Sequence, residues 1–307
     1  MTKTKVDGTL IELDNNKKIH IRTMGTGKDT IVILPGFNVH LPTVEFAPLM
    51  RELATRYTVC TIDLLGYGYS DPADTPRTNE NYVEEIRMAL NKTDLKPPYA
   101  LLPYSCAGLY AEYYATKYPE EVKALLLLDT SPSIESFISK LTMEEEHADE
   151  IRTTMQTAYN EAKPIAQWTA EEKQEYFDMY TPFGYTQEDL LAYEGVYNDI
   201  ETLVSQALSL SECAREVLTL TIPSEIPILL IRSGTGELEL MITDEAEKQK
   251  ALEEYHRENR EYMQKLGKSA TITTIEHSSH GNIYYFHKVI GAEVDKVLLH
   301  YTIFKNE

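Results

Sequence analysis

The stretch Ala100-Leu101-Leu102-Pro103-Tyr104-Ser105-Cys106-Ala107-Gly108-Leu109 decides the architecture. Its apolar start reads as a short buried strand, and the Ala-rich run to Lys117 reads as a helix that follows almost at once. A serine on so sharp a strand-to-helix turn stands over the end of the sheet with its hydroxyl clear of the backbone. The same turn aims the main-chain N–H of Cys106, at a helix N-terminus, toward the space beside that hydroxyl, where an oxyanion would be held.

Outward from this point, strand and helix patterns alternate. Ile31 to Leu34, Tyr57 to Ile62 and Leu125 to Leu128 are short continuous apolar runs, as strands buried on both faces require. Helical patterns lie at Val44 to Thr55, Asn81 to Asn91 and Ala107 to Lys117, and the N-terminal runs around Asp14-Asn15-Asn16 read as a hairpin. The alternation predicts an α/β fold: a mostly parallel sheet with right-handed crossovers and helices on both faces. After Asp129 the rhythm breaks. From Ser131 to about Ser209 no strand-like run occurs, whereas Thr142 with Glu145, Thr169 with Glu172 and Thr186 with Asp189 are helix-start signatures. Strand and helix then resume at Ile226 to Ile231, Thr243 to Leu266, Ala270 to Ile275 and Ile283 to Tyr301. The reading is a core of residues 1–130 and 210–307 with an inserted helical cap over 131–209.

The turn at Ser105 resembles the nucleophile elbow of the α/β-hydrolase superfamily, small-x-nucleophile-x-small, written here Pro103-Tyr104-Ser105-Cys106-Ala107. Pro103 departs from the usual glycine and removes a donor at the end of a central strand. Similar proline-containing elbows occur in an uncharacterised bacterial group of the superfamily. Two further segments carry the resemblance: Leu34-Pro35-Gly36-Phe37-Asn38 after the first core strand, and Asp63-Leu-Leu-Gly66-Tyr-Gly68-Tyr-Ser70-Asp71 after the next. The resemblance implies that the Phe37 N–H joins that of Cys106 in an oxyanion hole. It implies a structural role for the Asp63 loop.

The base belongs on the loop after the last strand, Glu276-His277-Ser278-Ser279-His280-Gly281, where the superfamily pattern selects His280. The acid has two candidates. Glu237, in Ser233-Gly-Thr-Gly-Glu237, occupies the more usual register and is preferred; Asp129, at the end of the strand before the cap, is the alternative. Glu239 and Asp244 rank below both. An unactivated hydroxyl needs a base within hydrogen-bond reach and a carboxylate to fix that base's tautomer. The expectation is therefore a serine hydrolase acting on a small ester or related acyl substrate through an acyl-enzyme, with no metal or organic cofactor. The alternative is a ligand-binding or signalling protein on the same fold with little turnover. Cys106 enters the helix and reads as filling. Trp168, Tyr180, Phe183 and Tyr185 read as packing residues of the cap before pocket residues.

Acidic residues outnumber basic ones 49 to 29, a formal charge of −20, which repels phosphate backbones and anionic lipid. Neither nucleic acid nor a membrane is an expected partner; a small-molecule substrate is. Cys60, Cys106 and Cys213 make no metal-type or disulfide spacing, no run of about 18 apolar residues occurs, and the start of the chain lacks an apolar export segment. These features point to the cytoplasm. The substrate and the oligomeric state are not legible at this level.

Overall fold

Hydrophobic alternation within each central strand builds two cores, one on each face of a single sheet. The computed structural model describes residues 7–141, 145–236 and 241–304. Its strands are β1 (Thr9–Glu12), β2 (Lys18–Met24), β3 (Thr30–Leu34), β4 (Thr58–Asp63), β5 (Tyr99–Pro103), β6 (Val122–Leu128), β7 (Ile228–Ser233) and β8 (Ala270–Ile275). They run in the order β1-β2-β4-β3-β5-β6-β7-β8. Pairings β1–β2 and β2–β4 are antiparallel and the others parallel. Because side chains alternate faces, Val32, Leu34, Leu101, Leu125, Leu127 and Leu230 fill one core, and Ile31, Ile33, Leu102, Leu126, Leu128 and Ile231 the other.

The described helices are α1 (Pro42–Glu45), α2 (Ala47–Leu53), α3 (Asn79–Asn91), α4 (Ala107–Lys117), α5 (Glu135–Ile138), α6 (Glu145–Glu161), α7 (Ala170–Tyr180), α8 (Gln187–Leu191), α9 (Ile200–Leu218), α10 (Glu245–Leu266) and α11 (His287–Phe304). Helices α3, α4, α9 and α10 close the first core, through residues such as Ile86, Leu109, Leu203 and Tyr262. Helices α2 and α11 close the second with Leu49, Leu53, Ile290 and Val294. Leu101 is fully buried between β3 and β6. Truncating such a residue to Ala costs about 2–5 kcal/mol.

Local chemistry explains where the elements depart from the periodicity. The single helix read over Val44 to Thr55 is two, broken at Phe46, because Pro48 lacks an N–H and its ring suits only the first turn of a helix. Strand β7 starts two residues later than its apolar run, after Pro227, whose carbonyl still accepts from Leu125 N–H at 3.0 Å. Thr169 and Thr186 each form a full capping box; Thr142 lies outside the described residues. The segment between β6 and β7 contains no strand among its described residues. Position 209 falls inside α9, so this helix crosses the limit drawn between cap and core. Leu203 near its start and Val217 near its end both enter the core under the sheet. No helix of the described residues is long and apolar enough to cross a membrane.

Candidate active site

The end of β5 is stitched to both neighbours. Tyr104 N–H donates to Leu34 O at 2.9 Å on the β3 side and Ser105 N–H to Leu128 O at 3.2 Å on the β6 side. Along a strand the N–H groups alternate sides, so the donor missing at Pro103 would have faced β6, and the Ser105 bond closes that side one step later. Ser105 itself has φ 57°, a left-handed conformation that L-residues rarely adopt and that turns its side chain out of the strand line before α4 begins. The approach of neighbouring chain is close: a Cβ added at Gly36 would lie 2.6 Å from Ser105 Cβ, and one at Gly108 would lie 2.5 Å from Thr130 Cβ. Glycine is required at both points for the elbow to pack.

His280 reaches the elbow from the loop after β8. Ser278 ties that loop back to Ile275 O, Asn282 Oδ1 accepts from Ser279 N–H at 2.7 Å, and Gly234 N–H donates to Ser278 O at 3.1 Å. The imidazole stacks on the Tyr104 ring at 5.0 Å, and Tyr104 OH donates to His280 O at 2.6 Å. His280 Nε2 stands 3.0 Å from Ser105 Oγ, and Nδ1 stands 2.7 Å from Asp129 Oδ2. An ionised carboxylate has no proton to give, so Nδ1 carries the hydrogen and Nε2 offers its lone pair to the hydroxyl. The side chain of His277 is exposed and takes no part.

Asp129 follows the last residue of β6 with φ 45° and is 4% exposed. Its carboxylate also accepts from Ser233 N–H at 3.0 Å and Ser233 Oγ at 2.9 Å, and pairs with Arg232 at 3.3 Å. Burial pushes its pKa up, but the bond from His280, the charge of Arg232 and the Ser233 N–H outweigh burial and hold it below the usual carboxylate value. Among the described residues the carboxylate that meets His280 is that of Asp129, the alternative named from the sequence. Glu237 and Glu239 lie outside the described residues, and Asp244 is occupied as the N-cap of α10, accepting from Glu247 N–H at 2.9 Å.

Phe37 follows Gly36, which packs against Ser105, and Cys106 follows Ser105 in the chain. Burial raises the Cys106 thiol to about 11, against contacts from Tyr110 OH and from the main-chain N–H groups of Phe37 and of Cys106 itself. The N–H groups of Phe37 and Cys106 thus both neighbour the Cys106 thiol, and Gly36, next to Phe37 in the chain, packs against Ser105. The thiol remains protonated at neutral pH, as a filling residue would. A residue with no sequence signal completes this wall: Gln206 on α9 accepts from Tyr67 OH and donates to Tyr110 OH at 3.0 Å and Cys106 Sγ at 3.5 Å. Tyr67 OH in turn accepts from Asn38 N–H at 3.2 Å, next to Phe37. Arg232 and Tyr104 were equally silent, because nothing local marks an arginine or a tyrosine as the neighbour of a distant acid or imidazole.

The Asp63 loop is held as a structural unit. Asp63 is fully buried and accepts from Thr43 N–H at 2.9 Å, with His20 Nδ1 at 2.8 Å. The aromatics of the helical segment pack on one another: Trp168 and Tyr180 against Tyr176, Phe183 against Tyr285, and Tyr185 buried with its OH on Glu45 O. A cavity of about 380 Å³ opens on the acid side of the site, lined by Asp129, Ser131, Phe137, Arg232 and His280 among others. A larger open cleft of about 1130 Å³, between α6 and the Asp63 loop, includes neither Ser105 nor His280 in its walls.

The family model described as alpha/beta hydrolase fold matches residues 29–161. A thermophilic esterase from Thermogutta terrifontis, solved with malate bound, superposes with a TM-score of 0.62 over 96% of this chain and 99% of its own, at 15% identity. The chain is an α/β-hydrolase-fold protein. YbdG of Bacillus subtilis is 37% identical to this α/β-hydrolase-fold chain over 125 residues, 41% of this chain and 38% of YbdG. The pimeloyl-[acyl-carrier protein] methyl ester esterase of Chromobacterium violaceum is 35% identical over 114 residues, 37% of this chain and 41% of the esterase. The matched region spans about two fifths of the length of these relatives.

Proposed function

We propose that this protein is a serine hydrolase that cleaves a small ester or related acyl substrate through an acyl-enzyme. The observation that carries the reading is the unbroken chain Asp129 Oδ2, His280, Ser105 Oγ, with contacts of 2.7 and 3.0 Å. His280 would take the hydroxyl proton as Oγ adds to the carbonyl, and Asp129 would stabilise the imidazolium that forms. The Phe37 and Cys106 N–H groups would hold the oxyanion. The proton then passes to the leaving alkoxide, and water enters by the same route to release the acyl group. The described helices within 131–209 would act as a cap that shapes the substrate site. Cys60, Cys106 and Cys213 are buried and unpaired, which suits a reducing compartment, and the cytoplasm is the proposed location. The esterase named among the relatives supports the bond type, not the substrate.

Covalent labelling tests this. A fluorophosphonate should add to wild type and not to Ser105→Ala, with mass spectrometry placing the adduct on Ser105. Absence of labelling and of turnover on short-chain aryl esters would favour a ligand-binding protein and end the hydrolase reading.

A further inference from the structure

Strand β8 ends the sheet, and its outer edge is bare of the devices that usually keep such an edge from pairing. Ala270-Thr-Ile-Thr-Thr-Ile275 holds no charge, no proline and no bulge, and Ile272 is 43% exposed. Ile228 N–H donates to Ser269 O at 3.1 Å, which fixes the alternation: the main-chain groups of 271, 273 and 275 face β7, and those of 270, 272 and 274 face away from it, the Ala270 N–H being taken by Gly267 O at 3.3 Å while its carbonyl is left for a partner. Charge sits only just beyond the two ends, Lys268 before the strand and Glu276 after it. Both are exposed, and neither has an ionic partner among the described residues.

We propose that β8 is a self-complementary edge through which two copies of this chain pair antiparallel about a twofold axis at Ile272. The alternation restricts the register, because outward groups must oppose outward groups. Centring on Ile272 sets it against its own mate, with N–H and C=O exchanged, and sets Thr274 N–H against the second copy's Ala270 O. The same register places Lys268 opposite the second copy's Glu276 at both ends. The exposed isoleucines meet at the axis on the same face, and each unpaired charge finds its opposite. An isologous contact of this kind closes at two copies, so it yields a dimer and not a fibre.

A six-residue strand by itself covers less than the roughly 800 Å² per partner of a stable interface. The flanks supply more: grooves of about 600 and 530 Å³ run along the two faces of β8, walled by Glu293 and Val297 of α11 on one side and by Arg260 and Gln264 of α10 on the other. Ile272 lines both grooves, so it sits at the lip from which a second strand would extend the sheet. The opposing effect is the charge of −20 on each copy. At ~150 mM salt, screening beyond ~8 Å damps that repulsion while contacts at the edge persist.

The experiment is sedimentation equilibrium of the full chain at ~150 mM salt over a micromolar dilution series. Wild type should sediment at twice 35.0 kDa at the higher concentrations. Ile272→Lys, which sets two like charges on the axis, should weaken association more than about tenfold. Lys268→Glu and Glu276→Lys should each weaken it several-fold, and the double exchange should restore it. Unchanged circular dichroism melts would show that the exposed substitutions leave the fold intact. A wild type that stays monomeric across the series overturns the proposal. So does a dimer that survives Ile272→Lys, or one that the double exchange does not restore.

Discussion

Replacing Asp129 by Asn probes the site at its most connected atom. The carboxylate accepts from His280 Nδ1, from Ser233 N–H and from Ser233 Oγ, and it balances Arg232. An amide of the same shape has one acceptor and one donor end. With Oδ1 kept on Ser233 N–H, the NH₂ group faces Nδ1, which must then accept. The imidazole is thereby forced into the tautomer with hydrogen on Nε2, pointing at Ser105 Oγ, and the base is lost. The charge that would stabilise an imidazolium disappears with it. In the triad template this change costs about 10⁴ in kcat, or about 5.4 kcal/mol of transition-state stabilisation. The assay is hydrolysis of a short-chain p-nitrophenyl ester, followed alongside the rate of fluorophosphonate labelling; both should fall together. A circular dichroism melt controls for Arg232, which loses its counter-charge in a site where its side chain is 12% exposed. Glu237→Gln should keep activity within a few-fold. If Asp129→Asn folds and loses less than about tenfold, Asp129 does not orient the base. If Glu237→Gln carries the large loss instead, the acid assignment made here is wrong.

Two further outcomes follow from the same geometry. The folded-state pKa of Asp129 is depressed, so its contribution to stability is present above the unfolded carboxylate value of about 3.8 and is lost as pH falls through the lower folded value; melting temperatures measured from pH 6 to pH 3 should fall less steeply in Asp129→Asn than in wild type. Gln206→Leu leaves the Tyr67 and Tyr110 hydroxyls without their buried partner, so urea unfolding should show a loss of about 1–3 kcal/mol, and an unchanged midpoint would mean that this network does not hold the wall behind Phe37 and Cys106.

Much of the fold was legible because its signals are local. Continuous apolar runs such as Ile31 to Leu34 and Leu125 to Leu128 mark strands buried on both faces, and β8 coincides with its predicted limits. Helix α4 also begins and ends where the sequence places it, since a strand, a three-residue turn and an Ala-rich run leave the chain little choice. Pro48 and Pro227 moved boundaries by a turn or by two residues, an effect of single residues that periodicity averages away. Ser105 and His280 were nameable because each sits beside a strand end that the pattern locates.

The order of preference between Glu237 and Asp129 was a different kind of question. Residues 129 and 280 are 151 positions apart, and their 2.7 Å contact depends on β6, β7 and β8 lying side by side in register. Gln206 and Arg232 are likewise ordinary residues until the fold sets them against a tyrosine hydroxyl or a carboxylate. Position 209 lies within α9, whose Leu203 and Val217 both pack into the core, a continuity that only packing reveals. Amino-acid order alone determined the strands, most of the helices and the elbow, since short-range sterics and hydrophobic period act within a few residues. Tertiary structure decided which acid meets the imidazole, what stands behind the hydroxyl and which edge is left bare, because those contacts join distant segments whose geometry no local pattern encodes.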